Sequence, residues 1–128
     1  MANTTWITLI KNDSPLHLMW RDGENPNFKG SLSPGEPVDY NGKGFCFPWV
    51  DHTKDELRKS IEFTNGETGA PLFHIFQSYN RDTIQWLKAP ENSANHGVDV
   101  DGPSAAGGSK ALYIRNDGTP VLVSTGKE

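Results

Sequence analysis

Short runs of β-branched and aromatic residues, each cut off by Gly, Pro, Asn or Asp, set the strongest limit on what this chain can become. The longest is PLFHIFQSY (71–79). Leu72, His74, Phe76 and Ser78 lie on one side of an extended chain there, and Phe73, Ile75, Gln77 and Tyr79 on the other. TTWITLIK (4–11), PLHLMWR (15–21), LSPGEPVDY (32–40), GFCFPWV (44–50), SIEFT (60–64), TIQWLK (83–88), KALYIRN (110–116) and TPVLVST (119–125) repeat the pattern. Short strands with turn signals between them are the mark of a sandwich or barrel. The expected fold is all-β, an antiparallel two-sheet β-sandwich of about eight or nine strands in a single domain spanning 1–128.

Local chemistry adds detail. TTWITLIK and PLHLMWR read as a hairpin about the NDS turn. Leu16, Leu18 and Trp20 share one face, and His17, Met19 and Arg21 the other. Asp117-Gly118 between two alternating runs is a hairpin signal. Pro120 cannot donate to a ladder, which places the last strand at an edge or starts it later. DHTKDELRKS (51–60) breaks the alternation, and Thr53 and Glu56 have capping-box spacing, so one short helical turn is expected there. Residues 89–109 hold no bulky apolar side chain except Val98 and Val100 and read as a long loop of functional or mobile character.

Composition narrows the function. The net charge is −4 and no Lys/Arg cluster exists, so no nucleic-acid partner is expected. Cys46 is the single cysteine, so no intramolecular disulfide can form. The first residues lack a basic start and a long apolar run, which points to a cytoplasmic protein outside the conventional secretion route. The triplets at Asn3 and Asn12 are read as chance matches to the glycosylation signal.

Catalytic signatures are missing. There is no G-x-S-x-G elbow, and Cys46 lies in an aromatic run without an activating cation. NGKG and STGK are fragments of a phosphate loop without its full spacing. The four histidines have no metal-ligand spacing. DVDG (99–102) resembles the centre of a calcium loop, but Gly97 and Gly108 stand where its first and last acidic ligands belong. No catalytic residue, metal or other cofactor is therefore assigned, and a non-enzymatic binding module is expected.

Four tryptophans are many for this length. Trp6, in a run apolar on both faces, reads as core. Trp20, Trp49 and Trp86 stand near strand ends, where a sandwich presents its loops. FCFPWVDH (45–52) reads either as a core strand with Phe45 and Phe47 inward or as the rim of a site. On the second reading Trp49 gives an apolar plate beside Asp51 and His52, the mixture a sugar requires. Asn25, Asn27, Tyr79, Asn80, Arg81, Asp82 and Trp86 complete the candidate ligand-binding set. The expected function is lectin-like carbohydrate binding, with a glycan as partner and a homodimer as one way to gain a second site. A lipid-surface binder and a small hydrolase are the alternatives.

TTWITLIKN with its returning strand, then LSPGEPV, then GETGAPLFHIF, resembles the opening half of the aegerolysin type of small β-sandwich. That resemblance implies recognition of membrane lipid, as one member of a pore-forming pair. The family's Trp-Gly-rich middle and Gly-rich C-terminal strand are not recognisable here, so none of its binding residues is carried over. Small cytosolic fungal lectins share the same general profile.

Overall fold

The structure is a computed structural model and describes residues 5–23, 29–39, 45–46, 60–78, 82–89 and 97–124. Eleven strands run through them, with no helix among the described residues. They are β1 (Thr5–Asn12), β2 (Leu18–Asp22), β3 (Lys29–Leu32), β4 (Pro37–Asp39), β5 (Phe45–Cys46), β6 (Ile61–Asn65), β7 (Pro71–Gln77), β8 (Ile84–Lys88), β9 (Val98–Asp99), β10 (Gly108–Ile114) and β11 (Pro120–Ser124). One sheet has the order β11-β10-β1-β4, with β5 also paired to β1; the other has the order β3-β2-β6-β7-β8-β9. This is the expected all-β, two-sheet, sandwich-like architecture. The helical turn expected at 51–60 falls on residues outside the described set, apart from Ser60.

Alternation builds the core. Leu18 and Trp20 from β2, Ile61 and Phe63 from β6, and Phe73 and Ile75 from β7 are buried from one sheet. Ile7, Ile10, Leu112, Ile114 and Leu122 meet them from the other. The rings of Phe63 and Phe73 stack at 4.7 Å, as their paired positions on β6 and β7 require. Ile7 and Ile10 are three residues apart, which a regular strand would send to opposite faces. A register shift between Ile7 and Leu9 corrects the phase.

Two connections differ from the expectation. β1 and β2 are not a hairpin: β1 pairs with β10, β4 and β5, while β2 pairs with β3 and β6. The β1–β10 pair is parallel, so the first sheet is mixed. Asn12 ties the corner between β1 and β2 together. Its side chain is fully buried. The amide donates to the carbonyls of Leu16 at 2.7 Å and Leu32 at 3.1 Å. Its oxygen accepts from Ser14 N at 3.0 Å and Ser14 Oγ at 2.6 Å. NDS is thus a corner between sheets rather than a turn within one.

The tryptophans also change places. Trp20 is 4% exposed and belongs to the core. Trp6 is half-buried and outside the core cluster, because β1 turns Thr5 and Ile7 inward. Gly30 lies opposite Trp20 on β3, and a Cβ there would come within 2.8 Å of the indole. The ring occupies the space that a side chain would need.

The long loop is not free where it is described. β9 pairs with β8 at the margin of one sheet, and Asp101 bridges to Val121 at the margin of the other. Leu122 N donates to Asp101 O at 2.9 Å, Ile84 N to Ser104 O at 2.7 Å and Ala106 N to Asp82 O at 2.9 Å. Val100 is buried in the core. Residues 98–107 are therefore a strap across the open side of the sandwich. β11 ends its sheet, as Pro120 suggested, and the strap caps part of its outer edge.

Candidate functional site

The two ends of the sandwich are built differently. At the end where β1 and β10 begin, polar groups close the gap. Thr5 Oγ1 donates to Gln77 Oε1 at 3.3 Å and accepts from Gly107 N at 2.8 Å. Gln77 Nε2 donates to Asp82 Oδ1 at 3.2 Å. Lys110, 5% exposed, donates from Nζ to the carbonyls of Pro103, at 2.7 Å, and Ala105. An inward-facing ammonium thus holds the strap down.

The opposite end is open. A cavity of about 140 Å3 enters between the sheets there. Leu72, Phe73 and Trp86 line it from one sheet, Ile114 and Thr119 from the other, and Leu16 from the corner that leads into β2. Lys88, Asp117 and Gly118 also reach this mouth. Trp86 is half-buried, and its ring meets Phe73 edge-on at 6.0 Å and 86°. Register explains the position, since Trp86 pairs with Ile75 on the core-facing side of β8.

The β10–β11 hairpin forms the polar lip. Arg115 N donates to Thr119 O at 2.9 Å, and Gly118 takes the positive φ of 86° that ends the turn. Asp117 Oδ1 accepts from Thr119 N at 3.0 Å and from Thr119 Oγ1 at 2.6 Å. The Thr119 hydroxyl bond holds the Asp117 carboxyl below the usual carboxylate value, its backbone bond adding to this. An ionised oxygen and a hydroxyl therefore stand at the entrance to an apolar slot.

Of the residues singled out from the sequence, Trp86 lies in this mouth. Asp82 does not. It precedes β8 at the sealed end, at a φ of 54°, with its Oδ1 held by Gln77 and its backbone by Ser78 and Ala106. Its role is that of a turn and tether, so it is removed from the site. Trp49, Asp51, His52, Tyr79, Asn80, Arg81, Asn25 and Asn27 lie outside the described residues. Leu16, Leu72, Lys88 and Thr119 were not foreseen, because they come from four distant segments. Asp117 had a signal, but only as part of a turn.

The two carboxylates of DVDG have separate tasks. Asp99 Oδ1 accepts from Thr83 Oγ1 at 2.9 Å and Gln85 Nε2 at 3.0 Å. Asp101 pairs with Arg115 at 2.9 Å. Among the described residues no group of three His, Cys, Asp or Glu side chains converges on one metal position.

On the outer face of the six-stranded sheet, one row of cross-strand partners runs Lys29, Arg21, Glu62, His74, Leu87. Arg21 pairs with Glu62 at 3.5 Å, and His74 Nε2 lies 3.7 Å from the same carboxylate. His74 Nδ1 is 2.9 Å from Ser60 Oγ. Burial holds the His74 imidazole below its ordinary 6.5, partly offset by Glu62.

No protein-family model, no curated protein and no solved structure matches this chain. Its sandwich-like architecture and its open mouth are what define it as a class: an all-β protein with a small apolar cavity between its sheets.

Proposed function

We propose that this chain is a non-enzymatic, lectin-like protein that takes one sugar residue at the open mouth. The carrying observation is Trp86: a half-buried indole lining a cavity between the sheets, with Asp117 and Thr119 on the lip. An apolar plate offers the stacking surface for a ring's C–H face, and the lip offers partners for hydroxyls. The volume is below the few hundred Å3 of sites for larger ligands, which favours a terminal residue over a chain segment.

The Ser60–His74–Glu62 row has the residue types of a hydrolytic triad. Ser60 is only 2% exposed, so its hydroxyl is out of a substrate's reach, and this supports the non-enzymatic reading.

A glycan array with labelled wild type and Trp86→Phe, followed by titration calorimetry on any hit, tests the proposal. Phe keeps an aromatic ring beside Phe73 while reducing the plate. Binding of a defined terminal sugar, weakened about tenfold or more in the variant at equal melting temperature, is the expected result. A wild type that binds no glycan, or a variant that binds equally well, overturns it. Sedimentation with liposomes, unaffected by sugar, would favour the lipid reading instead.

A further inference from the structure

The outer face of β3, β2 and β6 holds a second concavity, about 560 Å3 and distinct from the mouth. Its floor includes Met19, Arg21, Lys29, Ser31, Glu62 and Thr64. The volume falls in the range of small-molecule sites. Cross-strand pairing fixes the arrangement of charge. Arg21 stands directly opposite Lys29 on one side and Glu62 on the other. Like charges on directly opposed strand positions destabilise a sheet. Glu62 answers Arg21, at 3.5 Å, and among the described residues no ion pair answers Lys29. Ser31 and Thr64 flank Met19 in the next row, so hydroxyls border the cations. Met19, at 46% exposure, adds an apolar patch. In a chain of net charge −4 this surplus of positive charge is local.

We propose that this concavity is a binding site for a small anionic molecule whose oxyanion, a carboxylate or a phosphate, bridges Lys29 and Arg21. An oxyanion between the two cations turns their repulsion into two charge-assisted hydrogen bonds, and Arg21 can present two N–H groups to it. The hydroxyls of Ser31 and Thr64 serve the ligand's neutral polar groups, and Met19 its carbon skeleton. This site does not depend on the sugar reading of the mouth.

The test is an amide chemical-shift titration of the whole chain with citrate, glucose 6-phosphate and, as neutral control, glucose. Shifts centred on Arg21, Lys29 and Thr64 are expected with one or both anions and not with glucose. A response to citrate alone identifies a carboxylate ligand, and to glucose 6-phosphate alone a phosphate. Lys29→Gln and Arg21→Gln should each weaken binding about tenfold, and Glu62→Gln should tighten it. Lys29→Gln should also raise the melting temperature slightly, since it removes the like-charge pair, which separates lost binding from lost folding. The proposal is overturned if neither anion shifts these amides, if glucose shifts them equally, or if Lys29→Gln binds as wild type does.

Discussion

The two ends of this sandwich face the same physical problem and meet it in opposite ways. Both expose the seam between the sheets, where apolar side chains would meet water. At one end Thr5, Gln77, Asp82 and Lys110 fill the seam with hydrogen bonds, and the strap passes over it. At the other, Trp86 and Leu72 are left partly uncovered beside the hairpin lip. A sealed seam contributes stability and offers nothing to a ligand. An open seam leaves apolar area uncovered, and a ligand can cover it.

The largest expected effect lies under the open end. Asn12→Ala removes a buried amide that serves two carbonyls and accepts two bonds from Ser14, so unfolding in urea should show a loss of about 3 kcal/mol or more. A loss under about 1 kcal/mol would mean the corner is held by something other than Asn12. The open mouth would then rest on a softer base than the sealed end.

Gly102→Ala attacks the strap. The glycine has a φ of +93°, and a Cβ would lie 2.0 Å from the carbonyl oxygen of Leu122. The strap must move off β11, at a cost of about 2–3 kcal/mol, with faster hydrogen exchange at Leu122 N–H as the local readout. Exchange unchanged at that amide would break the idea that the strap seals the seam.

Lys110→Met keeps the length of the side chain and removes the ammonium. The carbonyls of Pro103 and Ala105 lose a donor, so a smaller loss of about 1–2 kcal/mol is expected by the same urea method. A more stable variant would show that desolvating the ammonium costs more than its bonds return.

The smallest effect is electrostatic and lies on the outer face, away from both ends. Because burial lowers the His74 value, the unfolded chain binds more protons than the folded one between that lowered value and 6.5. Stability should fall as pH drops through this window and level off below it. Comparing melting temperatures of wild type and His74→Gln at neutral pH and about pH 5 isolates this slope, which the variant should lack. An equal slope in both would assign it to other groups.

Particular elements show how far the sequence could be read. Phe73 and Ile75 on β7, and Leu18 and Trp20 on β2, share a face as their alternation required, and the structure turns those faces inward. The same alternation did not foretell Phe76 and Leu87, which are buried on the face away from the sandwich core. Asp117-Gly118 declared its hairpin because the turn needs a positive φ that glycine takes without strain. Nothing comparable marked the strap. Several of its ties run through backbone carbonyls of residues 101, 104 and 105, which any residue type could supply, and the side-chain partners of Asp99 and Asp101 lie in distant segments of the chain. Trp86, singled out for its place near a strand end, lines the cavity mouth, whereas Asp82 was chosen for its chemistry and lies in a turn at the other end.

The sequence by itself determined that this protein is β-rich, two-layered and acidic, and where its last hairpin turns, because these follow from period-2 alternation and local turn chemistry. Only the tertiary structure decided which strands are neighbours, which tryptophan is core and which end stays open. Those depend on contacts such as Asn12 to Leu32 and Asp101 to Leu122, made between residues 20 or more apart along the chain. No local preference encodes a partner at that distance; burial and hydrogen-bond satisfaction across the whole fold select it.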